Sequence, residues 1–138
     1  MTRVLICGTR NSGDYVEIAE LIMGLPIGSV IIQGMCRGVD VRAKHLGLKH
    51  GFEVEDYPAK WSLHGRAAGP IRNKQMLDEG KPDIVYAFHP NISESKGTKD
   101  MVRQAKNRGI ETIVVVPNIQ KRESKLGEVV KEKIYFKR

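Results

Sequence analysis

The sequence lacks the features that mark membrane-spanning, disulfide-stapled or metal-binding chains. Its 138 residues include two cysteines, Cys7 and Cys36, which are too few for a disulfide framework or a metal set. No apolar run approaches the roughly 20 residues that a transmembrane helix needs. The first residues, MTRVLICG, follow a strand pattern and not the layout of a signal peptide. These absences favour a reduced, cytoplasmic protein with no membrane partner and no metal.

Aromatic residues are also scarce, and acidic residues are outnumbered. Aromatic residues make up 6% of the chain, and 23 Lys and Arg against 16 Asp and Glu give a net charge of +7. Seven basic and three acidic residues lie in residues 118–138, so this tail carries +4. A basic balance indicates an anionic partner, although a solvated charged surface explains the same numbers. Because few aromatics are available to stack bases, single-stranded nucleic acid is the less favoured partner.

Short β-branched runs alternate with helix-length segments along the chain. The predicted strands cover residues 3–8, 29–34, 52–57, 83–88 and 111–116. Helical periodicity is present in residues 14–24, 39–50 and 98–108, and Gly69–Pro70 is typical of an N-cap and first position of another helix. Residues 58–68, before that helix, are predicted to form a loop. The alternation predicts right-handed βαβ units and an α/β fold with a parallel sheet.

Glycine-containing loops follow three of the predicted strands. They read CGTRNSGD, QGMCRGVD and FHPNISESKGTKDM, and each leads into a helix. In an open α/β sheet, ligands bind beyond the carboxyl ends of the strands, where helix N-termini present free N–H groups to phosphate. The first two loops supply seven ligand-binding candidates: Gly8, Thr9, Arg10, Gly34, Arg37, Gly38 and Asp40. A tight turn with a surface arginine, and an internal pair between Arg37 and Asp40, are the alternatives.

The loop after the fourth strand contributes Gly97 and Thr98 at a helix start, with Asp100 in the first turn. The helix dipole alone favours an acid there, and Gly-Thr is an ordinary cap. We nevertheless interpret Gly97 and Thr98 as ligand-binding residues. Asp100 is the carboxylate best placed to contact a ribose hydroxyl or to act as a base.

Residues 64–76, HGRAAGPIRNKQM, place cations where a helix start prefers anions. No acidic residue lies in this stretch, and three basic side chains crowd it: Arg66, Arg72 and Lys74. An anionic ligand opposite the helix start explains this arrangement, and internal neutralisation by Asp40 or Asp100 is the alternative. Further ligand-binding candidates of this region are Trp61, His64 and Asn73. Trp61 either stacks on a base or covers the sheet edge.

The motifs CGTR, GMCRGVD, HGRAAGPIRNKQM and KGTKDMV occur in the order seen in a group of small bacterial and phage proteins. Over about residues 3–117 the chain resembles this YspA-like group of the SLOG superfamily. The resemblance implies a Rossmann-like three-layer αβα sandwich over residues 1–117, with strand order 3-2-1-4-5 and a nucleotide or nucleotide-derived (phosphoribosyl) ligand. It also implies a homodimer. Residues 118–138 are predicted to form either an added helix or strand or a dimer arm.

Two related families suggest different activities. RNKQM and KGT are similar to motifs of the Lonely Guy enzymes, which hydrolyse the N-glycosidic bond of nucleoside monophosphates. Arg72 then matches their essential arginine, and Asp100, one position from their glutamate, is the catalytic candidate that stabilises an oxocarbenium-like transition state or positions water. GMCRGVDVRAKHLGL is similar to a segment of the DNA-processing protein A family, which binds single-stranded DNA. We expect a binding protein first, with hydrolysis and nucleic-acid binding as alternatives and no cofactor.

Overall fold

Five strands form one parallel sheet at the centre of the computed structural model, which describes residues 2–118. The strands are β1 (Arg3–Gly8), β2 (Val30–Gln33), β3 (Glu53–Asp56), β4 (Ile84–Phe88) and β5 (Glu111–Val115). Their order is β3-β2-β1-β4-β5, and every neighbouring pair is parallel. The predicted fold class, strand order and strand positions are confirmed, whereas the predicted tail lies outside the described residues apart from Asn118.

Helices cover both faces of this sheet. They are α1 (Val16–Met23), α2 (Val39–Lys49), α3 (Trp61–His64), α4 (Ala68–Gly80) and α5 (Gly97–Asn107), with 3-10 turns at Gly65–Ala67 and Ile92–Glu94. Alternate residues of β1 point to opposite faces: Val4 and Ile6 pack with α1 and α2, and Leu5 packs with α4 and α5. Because helices cover both faces of the inner strands, β1, β2 and β4 are mostly apolar runs, which is why they stood out in the sequence, whereas the edge strand β3 reads EVED and is only partly buried.

The start of α4 differs from its predicted position. The helix begins at Ala68 with Ala67 at the N-cap, so Gly69 and Pro70 are its second and third residues. Proline is tolerated there because the first N–H groups of a helix have no intrahelical acceptor. The predicted loop over residues 58–68 is also wrong in part, since it contains α3 and a 3-10 turn.

None of the helices within residues 2–118 has the length and apolarity that crossing a membrane requires. The longest of them, α4, has 13 residues, and charged side chains interrupt its surface. Two charged side chains of α4 form an ion pair on the surface. Lys74 pairs with Asp78 at 2.6 Å, one turn further along the helix. This pair accounts for one of the three cations in residues 64–76.

Candidate ligand-binding site

A cavity of about 830 Å³ lies at the carboxyl ends of the strands, beside β1 and β4. At that point the Thr9 N–H donates to the Phe88 carbonyl at 2.9 Å and joins the ends of these two strands. The chain builds β2 and β3 on one side of β1, and β4 and β5 on the other, so the strand order reverses here. Ligands of open α/β sheets bind at this switch point, and the volume is typical of small-molecule sites.

Arg72, in the first turns of α4, forms the inner wall of the cavity. Its side chain crosses to the loop after β2, and the residue is only 6% exposed. Nη1 donates to the Gly34 carbonyl at 2.5 Å, Nε donates to Asn73 Oδ1 at 3.0 Å, and Nη2 contacts Cys36 Sγ at 3.5 Å. The guanidinium is therefore held in one position by the protein itself.

Asp40 faces Arg72 across Gly34. A Cβ on Gly34 would lie 2.6 Å from Arg72 Nη1 and 3.0 Å from Asp40 Oδ2, so a side chain at this position would disrupt the wall. The Asp40 carboxylate accepts from the Gly34 N–H at 3.2 Å and the Cys36 N–H at 3.4 Å. Burial raises the pKa of Asp40 to about 6, against the lowering effects of the Arg72 charge and these N–H groups. The internal neutralisation considered for Arg72 is thus provided in part by Asp40.

Asn73 connects the inner wall to α5. Its Oδ1 accepts from Arg72, while its Nδ2 donates to the Gly97 carbonyl at 3.2 Å and to Asp100 Oδ2 at 3.0 Å. Burial tends to raise the pKa of Asp100, but hydrogen bonds from Asn73, Gln104 and Arg103 outweigh it and hold the pKa below its usual value. Asp100 is therefore an ionised anchor between α4 and α5.

Trp61 and Arg10 lie at the mouth of the cavity. The Arg10 Cζ is 5.5 Å from the centroid of the Trp61 ring, which is within the range of a cation–π contact. Both residues line the cavity, and both remain exposed to solvent. Side chains from the β1 loop and α3 therefore border the cavity where solvent reaches it.

The lining carries an excess of positive charge. Its cations are Arg10, Arg66, Arg72 and Lys96. Asp40 is the one acid among the described residues that line the cavity, which gives a local net charge of +3. The start of α5 adds backbone dipoles, although the Thr98 N–H already donates to Ser95 Oγ at 3.0 Å. The site therefore suits an anionic ligand.

Ten of the residues proposed from the sequence line this cavity: Gly8, Thr9, Arg10, Asp40, Trp61, Arg66, Arg72, Asn73, Gly97 and Thr98. The other five lie outside its lining: Gly34, Arg37, Gly38, His64 and Asp100. The backbone of Gly34 is hydrogen-bonded to both Arg72 and Asp40 in the wall. Gly38 has φ +83°, and a Cβ there would approach the Thr9 carbonyl to 2.3 Å. His64 borders a smaller neighbouring cavity of about 240 Å³, and Arg37 is exposed, away from the pairing with Asp40 considered above.

Sequence reasoning missed the remaining lining residues: Cys7, Asn11, Cys36, Gly69, Pro70, Met76, His89, Ser95, Lys96 and Met101. Position alone could have identified His89, because it is the first residue after β4 at the switch point. Burial lowers its pKa. Met76 and Met101 also belong to the hydrophobic core under the cavity, so their place in the sequence pattern indicates a core position and not a cavity lining.

The fold and the site together define a Rossmann-like α/β domain with a cationic cavity at its switch point. Among curated proteins, the Gene 61 protein of Mycobacterium phage D29 is 35% identical over 122 residues, which cover 82% of this chain and 95% of that protein. The chain therefore belongs to the same family as that phage protein. No model of a described protein family matches the chain.

A solved structure supports the fold. DNA processing protein A (DprA) from Streptococcus pneumoniae matches with a TM-score of 0.68 at 16% sequence identity. The match covers 86% of this chain and 52% of that protein, so the chain spans about half the length of DprA. At this identity, the similarity confirms the shared DprA-like Rossmann fold.

Proposed function

We propose that this protein binds a nucleotide or a nucleotide-derived phosphoribosyl ligand in the cavity beside β1 and β4. The observation that carries the proposal is the buried guanidinium of Arg72 in the wall of a cavity whose lining has a net charge of +3. An arginine held in place by the protein presents a preformed fork to phosphate oxygens.

Arg72 has donors to spare for such a ligand. A guanidinium carries five N–H groups, and three contacts use one each from Nε, Nη1 and Nη2. Within the described part of the chain, one N–H of Nη1 and one of Nη2 remain without a hydrogen-bond acceptor. Because the residue lines the cavity, a phosphate or a ribose oxygen there can accept from them.

The start of α5 offers a second set of contacts to the same anion. A Cβ built on Gly97 would meet nothing within 4 Å, so the backbone at this position borders open space. Lys96 precedes it in the cavity lining. A phosphate between Arg72 and Gly97 would meet two side-chain cations and the positive end of the helix dipole.

Binding has stronger support than N-glycosidic hydrolysis. Hydrolysis needs a carboxylate at the sugar, and the catalytic candidate Asp100 lies outside the lining with its oxygens bonded to Asn73, Arg103 and Gln104. The acid that does line the cavity, Asp40, accepts from the backbone N–H groups of Gly34 and Cys36. We therefore assign Arg72 a binding role and Asp100 a positioning role.

Isothermal titration calorimetry with nucleoside mono- and diphosphates and ribose 5-phosphate tests the proposal. We expect Arg72→Met to weaken binding by about tenfold to a hundredfold, since charge-assisted hydrogen bonds contribute about 1.5–3 kcal/mol. Arg72→Lys, which keeps the charge without the fork, should lose less. Lys74→Met is the matched control, because it removes one cation from the exposed face of the same helix.

The control should bind within twofold of the wild type, and circular dichroism should show that all variants are folded. Absence of binding by the wild-type protein contradicts the proposal. Equal losses in Arg72→Met and Lys74→Met would also contradict it, because the effect would then be one of net charge alone.

A further inference from the structure

The short helix α3 contributes nothing to the core of the domain. None of its four residues is buried, and its first residue, Trp61, is 48% exposed. Trp61 is the single tryptophan of the 138-residue chain. Large aromatic side chains usually bury most of their surface, so a half-exposed ring at a cavity mouth calls for a partner.

One edge of the ring lies next to α4. A Cβ on Gly69 would lie 3.6 Å from Trp61 Cη2, so the ring lies beside the first turn of α4. Gly69 and Trp61 both line the cavity. The ring therefore lies beside the same helix that carries Arg72, and the Trp61 ring and the Arg72 guanidinium line one cavity.

The ring has a cation as its neighbour. The Arg10 guanidinium lies 5.5 Å from the ring centroid, and cation–π contacts at exposed sites are weak. Arg10 has no salt bridge to an acid within the described residues, so it can leave the ring when an anion offers a better contact. A planar base could then occupy the surface that the guanidinium covers.

We propose that Trp61 stacks on the base of the bound ligand, so that the cavity selects nucleotides over sugar phosphates that lack a base. The inference rests on the proposed function. In the bound state the base replaces Arg10 on the ring, and the freed guanidinium pairs with the phosphate. Each group exchanges one partner for a stronger one: Trp61 gains a stacked π-system, and Arg10 gains an anion.

The single tryptophan makes the test direct, because all of the chain's tryptophan fluorescence comes from this ring. The four common nucleoside monophosphates and ribose 5-phosphate are titrated separately, since these probes share the sugar and phosphate and differ in the base. We expect at least one nucleotide to quench Trp61 saturably and to bind at least tenfold more tightly than ribose 5-phosphate.

Calorimetry on variants separates stacking from other effects. Trp61→Ala should lose about tenfold in affinity for the favoured nucleotide and bind ribose 5-phosphate unchanged, whereas Trp61→Phe should keep most of the preference. Leu63→Ala is the matched control, because Leu63 lies in α3 with 69% exposure and outside the cavity lining. Since α3 buries no side chain, these variants should fold like the wild type.

The possible failures are distinguishable. If a nucleotide binds in an Arg72-dependent way but Trp61→Ala leaves its affinity unchanged, stacking is overturned and the proposed function stands. If ribose 5-phosphate binds as tightly as every nucleotide, base selection is overturned in the same way. If no probe binds in an Arg72-dependent way, the proposed function fails and this inference fails with it.

Discussion

Replacing Arg72 with methionine should destabilise the protein to an extent that depends on pH. The substitution keeps much of the side-chain volume and removes three contacts, to Gly34, Asn73 and Cys36. At about 1 kcal/mol for each contact, we expect a loss of about 3 kcal/mol in the free energy of unfolding at pH 5. At that pH Asp40, whose pKa is about 6, is mostly protonated.

At pH 8 the loss should be larger. Burial raises the pKa of Asp40 above its unfolded value of 3.8, and the positive charge of Arg72 limits that rise. Without Arg72, the folded-state pKa of Asp40 rises further, so the stability of the variant keeps falling with pH above 6, where the wild type has levelled off. Each added pKa unit contributes about 1.4 kcal/mol, which brings the expected loss at pH 8 to about 4–5 kcal/mol.

Urea unfolding followed by far-ultraviolet circular dichroism at pH 5 and pH 8 measures the effect. The control is the same substitution made in an Asp40→Asn background, where the loss should be about equal at both pH values. His89, whose pKa is lowered by burial, is present in every variant and cancels in the comparison. A loss in Arg72→Met that does not change with pH, or one that changes equally in the Asp40→Asn background, would refute the coupling.

Three further predictions concern Arg72, Asp40 and the loop after β2. Gly34→Ala should lower the free energy of unfolding, measured in urea, by about 1–3 kcal/mol because its Cβ would crowd Arg72. Gly24→Ala is the control: the atoms nearest to its Cβ are 3.4 Å away, so the free energy of unfolding should change by less than about 0.5 kcal/mol. Met35 has φ +59°, in the left-handed region that asparagine adopts more readily than alanine. The Met35→Asn variant should therefore be more stable than the Met35→Ala variant by up to about 1 kcal/mol, and equal stabilities would show that backbone strain is absent. Sulfate affinity by calorimetry should rise about tenfold from pH 8 to pH 5, because protonation of Asp40 leaves the Arg72 charge less compensated, and a flat profile would contradict this.

The sheet could be predicted because burial on both faces leaves a direct record in the sequence. The run ETIVVV has no polar alternation, and it became β5 within one residue of its predicted end. The helix α3 left no such record, since its four residues bury nothing and follow no apolar period. The start of α4 was misplaced because Ala67 offers no side-chain cap, while Gly69–Pro70 carries a strong but misleading boundary signal.

The position of the candidate cavity could be inferred from the sequence, but only part of its lining could. Parallel strands bring their carboxyl ends to one edge, which is why Thr9, Arg72 and Thr98, from separate parts of the chain, line one cavity. The orientation of Asp100 could not be read in this way. Its oxygens are directed by Asn73 and Gln104, and such side-chain partners depend on how α4 and α5 pack.

The internal anchoring of Arg72 has a consequence for the thermodynamics of binding. Its guanidinium is ordered by the Gly34 carbonyl and by Asn73 before any ligand arrives, so the rotamer entropy of this long side chain is lost during folding. A ligand that uses its remaining N–H groups avoids that entropic cost, which is about 0.5–1.5 kcal/mol for a mobile side chain. Folding thereby determines part of the affinity of the cavity in advance.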